Sequence, residues 1–439
     1  MRQTNQCNKL TSVGIFTLFL LAVLSTTAFA GASRAKANSP GNNAKTQIIV
    51  SDAVVLQWNQ IAVATIGSQP PFPAARSMSI VQLAVFEAVN AIGGKYEPYL
   101  GTISAPVGAS AEAAAIEAAH DVLVGLFPAQ AGNLDTQRDA SLALISDGQA
   151  KTDGIAVGQA TAAAMLANRT NDGSATPAFY LPTTADPYEW QLTQGCSAGV
   201  FRHWPNVRPF GVESSSQFRA EPPPALDSGV YAQDYNELVA VGDINSTTRS
   251  QDRTDVARFY ASVTPHYAFN AALRQIASTR DDDIGDTARA LAVLNMAISD
   301  AAISVFDSKY FYHTWRPVTA ISRGDEDGNK WTSPGAFTPL ITTPCFPSYP
   351  SAHGTLSGSA RTVLERTYGR FGHLITLSHP AVPGIELSYS DLRVITDDIS
   401  DARVYGGIHF RFDQVAGNRQ GHDIGQYIYN NLLRKVGDE

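Results

Sequence analysis

Three short segments in the C-terminal half carry residues whose types and spacing suit chemistry on an anion. They are Lys309-Tyr-Phe-Tyr-His-Thr-Trp-Arg316-Pro317, Pro350-Ser351-Ala352-His353 and Arg403-Val-Tyr-Gly-Gly-Ile-His409-Phe-Arg-Phe-Asp413. Lys309, Arg316 and Arg403 bring three positive charges, a combination that is costly to bury unless an anion of high charge sits among them. A tetrahedral oxyanion fits that demand best. Pro350-Ser351 reads as a helix start, whose free N–H groups and Ser hydroxyl form an anion cradle with Ala352. His409 and Asp413 stand at i and i+4, so the carboxylate can hold one ring nitrogen and leave the other as nucleophile or ligand. His353 is a side chain that titrates near neutral pH beside this cradle. Each piece alone has a plainer reading: a packed histidine, an N-cap serine, a helix-ending Arg-Pro. Their convergence is what points to a site.

The elements that must position these residues read as helices. Lys309 and Arg316, two helical turns apart, are expected to share a face at the end of a buried helix from Ile284 to about Tyr312. Its stripe of Leu291, Leu294, Ile298, Ala301 and Val305 is joined by apolar or small residues on the other sides, and a helix apolar nearly all round is buried. The run Asp281–Asp283 caps its start, where negative charge suits the dipole. Further helices are expected over Ser351–Thr367, Asp397–Ala416 and Gly421–Leu433. Upstream, Met78, Val81, Val85, Ala88 and Ile92 fall on one helical face after the prolines at 70–73. Ala111 to Leu126 is helical by propensity with Ser110 as its cap, and two more helices follow near 132–147 and 151–168. No convincing period-two alternation appears, so the expected fold class is mainly α, a helical bundle with an additional N-terminal helical layer. The expected division is a layer at 48–170, a Pro-rich connecting or covering segment at 171–228, and a catalytic helical domain at 229–436.

The chain has 439 residues, 44% hydrophobic, with a net charge of −8. Residues 1–30 read as a signal peptide: Arg2 and Lys9, an apolar run over Val13–Leu24, and Ala28-Phe29-Ala30 as a small-x-small cleavage site. The apolar run is short for a membrane span. Residues 31–47 read as a flexible leader. Secretion or export to the periplasm is the expectation. Loss of the two basic residues takes the net charge to −10, which disfavours nucleic acid and anionic lipid as partners and gives no reason to expect stable membrane insertion. Cys196 and Cys345 remain after the leader and can pair only if their geometry allows it.

The three segments resemble the signature of the type 2 phosphatidic acid phosphatase superfamily, K-x6-RP, PSGH and SR-x5-H-x3-D, which unites acid phosphatases, lipid phosphatases and vanadium haloperoxidases. Two positions depart: Ala352 replaces the signature glycine and Ala402 the serine before the second arginine. The stretches around Trp58-Asn59, Pro73–Arg76, His203–Phe210, Pro222–Ser228 and Arg323–Tyr349 are similar to the bacterial haloperoxidase-like branch. That resemblance implies the helical bundle of the haloperoxidases and acid phosphatases. It also implies vanadate as cofactor, bound through its metal to His409, which Asp413 orients. Lys309, Arg316, Arg403, the Ser351 hydroxyl and the Ala352 amide would hold its oxygens, His353 would take a proton from hydrogen peroxide, and Lys309 would polarise the peroxide oxygen. Hydrogen peroxide, a halide and a small organic acceptor would be the partners, with homo-oligomer formation left open. Phe306, Trp315 and Phe346 are the candidates for an apolar halide pocket. The same residues serve a phosphatase in which His409 attacks phosphorus and His353 protonates the leaving oxygen. A non-catalytic oxyanion-binding protein is the third alternative.

Overall fold

The computed structural model describes residues 51–67 and 69–437; the expected signal peptide and leader lie outside the described residues. In chain order the helices are α1 (Ala53–Ile66), α2 (Pro71–Gly93), α3 (Ala111–Leu126), α4 (Ala131–Leu142), α5 (Gln149–Asn168), α6 (Gly229–Val241), α7 (Gln251–Ser262), α8 (Pro265–Ala277), α9 (Ile284–Tyr312), α10 (Pro317–Ser322) and α11 (Ala352–Tyr368). A hairpin of β1 (Phe371–Ser378) and β2 (Glu386–Asp391) precedes α12 (Leu392–Tyr405) and α13 (Arg411–Asn431). The fold is mainly α, as the residue patterns require.

Helix α9 is the axle. Small and apolar residues on all its faces let α2, α11 and α13 pack around it, and Leu291, Leu294, Ile298 and Val305 are wholly buried. Asp283 caps its start by accepting the Asp286 amide at 2.8 Å. Inside the bundle a relay of amides ties the N-terminal helices to this axle. Asn59 donates to Asn270 at 2.8 Å, Asn270 donates to Asn295 at 2.9 Å, and Arg274 donates to Asn59 at 2.6 Å. Buried polar groups satisfied this way specify one packing among many apolar ones.

Residues 169–228 contain no helix beyond the short 3-10 turn Trp204–Asn206. Their backbone groups are satisfied against the rest of the protein instead. Asp300 of α9 is fully buried and accepts the amides of Phe210, Gly211 and Val212 at 2.7, 2.7 and 2.8 Å. The Trp190 amide donates to the His313 carbonyl at 2.6 Å, and the Trp315 amide to Tyr188 at 2.7 Å. A Cys196–Cys345 disulfide joins the segment to the stretch that enters α11.

Three expectations need correction. First, α9 ends at Tyr312, with His313 in the left-handed region at φ 49°, so Arg316 does not share the helix of Lys309 but lies in the extended link before α10. Second, the single helix expected over 397–416 is two, α12 and α13, broken at Gly406-Gly407, where Gly407 has φ 79° and a Cβ would meet the Gly242 carbonyl and Pro339. His409 therefore sits in the turn before α13. Third, a hairpin exists: His373, Ile375 and Leu377 alternate inward along β1, with Ile375 opposite Tyr389 and Leu377 opposite Leu387.

Among the described residues the most extensive helix contact joins α11 to α13. Gly417, Gly421 and Gly425 recur every four residues on α13 and face α11. A Cβ at Gly417 would lie 2.6 Å from the Ser351 carbonyl oxygen, one at Gly425 2.6 Å from that of Ser359, and one at Gly421 would collide with that of Thr355. Only backbone-to-backbone approach brings Ser351–His353 next to His409–Asp413. Gly421→Ala is therefore expected to destabilise the fold by about 1–3 kcal/mol, as overpacking does. Gly132→Ala, in a helix with nothing near its would-be Cβ, should be neutral or slightly stabilising. Equilibrium denaturation of the two variants checks this; equal stability would show that the α11–α13 approach is not tight.

Candidate active site

The charged, imidazole and cradle residues named from the sequence come together. Lys309 stands on the last turn of α9, Arg316 at the start of α10, Ser351 at the cap of α11 with Ala352 and His353 in its first turn, Arg403 on the last turn of α12, and His409 and Asp413 at the start of α13. Lys309, Arg316, Ser351 and Asp413 are wholly buried, and Ala352, Arg403 and His409 nearly so.

His409 is fixed on both sides. Its Nδ1 lies 2.8 Å from Asp413 Oδ2, and its Nε2 lies 3.0 Å from Arg316 Nη1. A guanidinium only donates, so Nε2 must carry a lone pair and Nδ1 the proton. That tautomer leaves Nε2 as the ligating or attacking atom. Asp413 Oδ2 also accepts the Ser348 hydroxyl at 2.6 Å and the Phe410 amide at 3.2 Å. Helices α6 and α12 clamp this turn from outside: Asp234 of α6 accepts the Phe412 amide at 2.6 Å, and Arg411 pairs with Glu237 of α6 and Asp401 of α12, each at 2.6 Å.

The cations are placed by backbone oxygens. Lys309 Nζ donates to the carbonyls of Pro347, Ser348 and Pro350 at 2.9, 2.7 and 2.6 Å. Three acceptors around one nitrogen match the three protons of an ammonium. Arg316 Nε donates to Phe346 O at 2.8 Å and Nη1 to Ile408 O at 3.0 Å, while Nη2 has no partner. Arg403 Nη1 donates to Tyr260 O at 3.1 Å, while its buried Nε has none. The Ser351 hydroxyl oxygen accepts the Gly354 amide at 3.2 Å, leaving its proton free to donate. The amides of Ala352 and His353, in the first turn of α11, have no intrahelical acceptor.

Charge is unbalanced here. Three buried cations face one buried carboxylate, Asp413. Burial, then the Arg316 charge, pushes Lys309 well below its usual range. Burial lowers Arg316 to about 9 and Arg403 to about 10, so both stay charged at neutral pH. Burial raises Asp413 to about 6, against the pull of the Ser348 hydroxyl and the cations. Burial, then Arg403, Lys309 and Arg316, holds His353 well below its ordinary value, and burial, then Arg316, does the same to His409. Unpartnered donors on Arg316 and Arg403, a free hydroxyl proton and free amides beside the Nε2 lone pair are what a tetrahedral oxyanion requires. The residues present therefore fit vanadate or phosphate.

A cavity of about 370 Å³ opens onto Ala352, His353, Arg403 and His409. Phe346 lines it as expected. Phe306 is wholly buried behind Phe346, ring centroids 5.3 Å apart. Trp315 does not line it: the tryptophan is buried in a separate cluster with Tyr231 and Tyr235, because the chain turns away after His313. Phe72 and Phe201 do line it; they lie in stretches singled out in the sequence only for prolines or for resemblance. Ser348 was likewise missed as a partner of His409 and Asp413. Its signal was present, since a hydroxyl two residues before the signature proline can reach back to the carboxylate. Ala352 contributes its methyl to the cavity wall, and Ala402 is wholly buried.

Comparison with known proteins agrees with this architecture. Residues 289–438 match the family model of the VCPO second helical-bundle domain. Vanadium chloroperoxidase of Curvularia inaequalis is 30% identical over 190 residues, a stretch that spans 36% of this chain and 31% of that protein. The crystal structure of the first bacterial vanadium-dependent iodoperoxidase superposes with a TM-score of 0.76 at 24% identity, covering 92% of this chain and 100% of that one. That of a holo-type bacterial vanadium-dependent chloroperoxidase superposes with a TM-score of 0.68 at 16% identity, over 88% and 98% of the two chains. Along nearly its whole described length the chain shares the fold of these solved structures, and in its C-terminal bundle its sequence is similar to the VCPO second helical-bundle domain and to about a third of vanadium chloroperoxidase.

Proposed function

We propose that the chain is a vanadate-dependent haloperoxidase, oxidising a halide with hydrogen peroxide to a hypohalous species. One observation carries the reading: the lone pair of His409 Nε2 faces a buried surplus of positive charge, beside an aromatic-lined cavity. His409 would hold the metal. Arg316 Nη2, Arg403 Nε, the Ser351 hydroxyl and the Ala352 amide would hold oxygens. Bound vanadate supplies Lewis-acid activation of hydrogen peroxide. The rest is the work of this chain. Asp413 keeps Nδ1 protonated and the ring in register. His353, held neutral by burial and its cationic neighbours, is free to accept a proton from hydrogen peroxide at the cavity wall. Lys309, with its three protons on carbonyls, contributes charge; direct donation to an oxygen would require it to give up one of them. The reaction balances as peroxide, halide and a proton giving hypohalous acid and water. Secretion or periplasmic export is part of the proposal, and the Cys196–Cys345 bond suits an oxidising compartment.

The deciding assay incubates the full chain with vanadate and follows peroxide-dependent bromination and iodination of a phenolic dye, with hydrolysis of a phosphate ester measured on vanadate-free protein. Halogenation is expected. Hydrolysis alone would select the phosphatase alternative, in which His409 attacks phosphorus. Absence of both activities would leave a non-catalytic oxyanion-binding protein.

His409→Ala is expected to abolish vanadium retention, measured by elemental analysis after gel filtration. Asp413→Asn, which disturbs the tautomer, should weaken vanadate affinity about 10–100-fold, the scale of lost orienting partners. Full retention of vanadium by His409→Ala would refute its role as ligand.

The depressed histidines set a pH dependence. Burial first, and then the neighbouring cations, hold His353 and His409 neutral; an anion offsets the cations, so both pKa values rise on binding. Binding then takes up protons, and affinity must increase as pH falls. Sulfate, whose own charge is constant across this range, should bind more tightly at about pH 6 than at about pH 8. Calorimetry in buffers of different ionisation heat would detect the proton uptake; proton release would contradict it.

A further inference from the structure

The three cations of the site are not held equally. Lys309 donates to three carbonyls, and Arg316 to two and to His409 Nε2. Among the described residues Arg403 has one acceptor, the Tyr260 carbonyl at 3.1 Å. The aim of this buried guanidinium therefore depends on where one oxygen stands. Tyr260 lies on the last turn of α7, which ends as Val263 turns extended, and the final carbonyls of a helix have no intrahelical amide to accept. An arginine there satisfies the oxygen and suits the negative end of the helix dipole. Which nitrogen it uses has a consequence. The Nε–H and the Nη2 beside it form the edge with which a guanidinium grips an oxyanion through two parallel bonds. Arg403 is held by Nη1 and its Nε has no protein partner, so that edge is free. In Arg316 the same edge is half spent, since Nε donates to Phe346 O and Nη2 alone is left.

The carbonyl is itself locked. Tyr260 is wholly buried and Tyr389 of β2 nearly so, with their hydroxyl oxygens 2.9 Å apart. Tyr389 donates to Asp398 Oδ2 at 2.9 Å, so its oxygen accepts the Tyr260 proton. Arg253 Nη1 holds the other oxygen of Asp398 at 2.8 Å. Asp398 and Arg403 both belong to α12. The path thus leaves α12 at Arg403, crosses α7 and the hairpin, and returns to α12 at Asp398. In such a closed ring the guanidinium cannot swing without breaking a buried hydrogen bond. Burial pushes both phenols above their usual range, so the ring keeps its protons wherever the site binds anions.

We propose that Tyr260 and Tyr389 are positioning residues for the anion site: their hydroxyl pair fixes the end of α7, whose carbonyl turns the Nε edge of Arg403 toward a bound oxyanion. The hairpin, which bears none of the site's charged residues, acts on the site through Tyr389. The proposal rests on the site's taking an oxyanion, which the haloperoxidase, phosphatase and non-catalytic readings share, and not on which of them holds.

The test reads binding and arginine mobility rather than turnover. The full chain is titrated with orthovanadate by calorimetry. Separately, without vanadate, the Nε–H signals of isotope-labelled arginines are followed by NMR, that of Arg403 being the one lost in Arg403→Lys. Tyr260→Phe and Tyr389→Phe keep the ring packing and cut the same hydroxyl bond from opposite sides, so either one that folds by circular dichroism decides the matter. Each is expected to weaken vanadate about 10-fold, the lower end of what lost orienting partners cost. Each should also speed solvent exchange of the Arg403 Nε–H while that of Arg316 stays unchanged. Tyr235→Phe removes another buried hydroxyl, one that donates to the Ser333 carbonyl at 2.7 Å, and should alter neither reading. Unchanged vanadate affinity in the Tyr260 and Tyr389 variants, an equal loss in Tyr235→Phe, or loosening of Arg403 and Arg316 together overturns the proposal. Should the unsubstituted chain bind no vanadate, the oxyanion reading fails, and the exchange rates of the free protein still decide whether the two hydroxyls hold Arg403.

Discussion

The structure depends on one constraint: three cations must be kept buried around a single histidine lone pair. In a low-dielectric interior such a cluster repels itself, and only fixed dipoles and one carboxylate restrain it. The chain meets this by satisfying each cation with backbone oxygen. Lys309 takes three carbonyls from the Pro347–Pro350 stretch, Arg316 takes those of Phe346 and Ile408, and Arg403 takes that of Tyr260. Carbonyls hold charge without neutralising it, so the site keeps its appetite for an anion. Burial, and after it that field, depresses the imidazoles of His353 and His409.

Rigidity follows from the same requirement. Backbone oxygens aim correctly only if the segments that carry them cannot shift. Glycines let α13 lie against the backbone of α11. The Ser351 amide donates to the Asp413 carbonyl at 2.9 Å, so the anion cradle and the histidine turn are joined directly. Outside this pair, Asp234 and Glu237 of α6 hold the first turn of α13. The histidine is thus positioned by three elements that meet at one turn, a preorganised arrangement that need not move when charge arrives.

Much of this was legible in the sequence, and the parts that were not share a cause. The site residues could be named because charge and imidazole at fixed spacing are rare outside a site. Helices α3 and α9 were legible to the residue, since Ser110 and Asp283 cap them and their apolar patterns are unbroken. What failed were features decided by distant contacts. The break between α12 and α13 depends on Gly407 meeting Gly242 and Pro339, and neither lies near it in sequence. The end of α9 depends on His313, whose left-handed turn is stabilised by stacking on Tyr180, centroids 4.7 Å apart. The hairpin was hidden because only alternate positions of β1 are buried and the outward ones include Phe371 and Leu374, which erases the polar half of the alternation.

The division of labour along the chain explains how one anion site can serve different reactions. All the charged residues of the site lie between Lys309 and Asp413. The apolar wall beside it is drawn largely from elsewhere: Phe72 from the start of α2 and Phe201 from the irregular segment that Asp300 and the disulfide fasten to the bundle. The proposed oxyanion chemistry would therefore be fixed by the C-terminal bundle, while access to the site is set in part by Phe72 and Phe201, from parts of the chain that supply none of its charged residues. A change in the N-terminal helices or the covering segment can alter what approaches the anion without touching the cations that hold it. Phe346 is the exception that couples the two. Its carbonyl binds Arg316 and its ring faces the cavity, so any adjustment of the aromatic wall at that position is transmitted to the guanidinium beside His409.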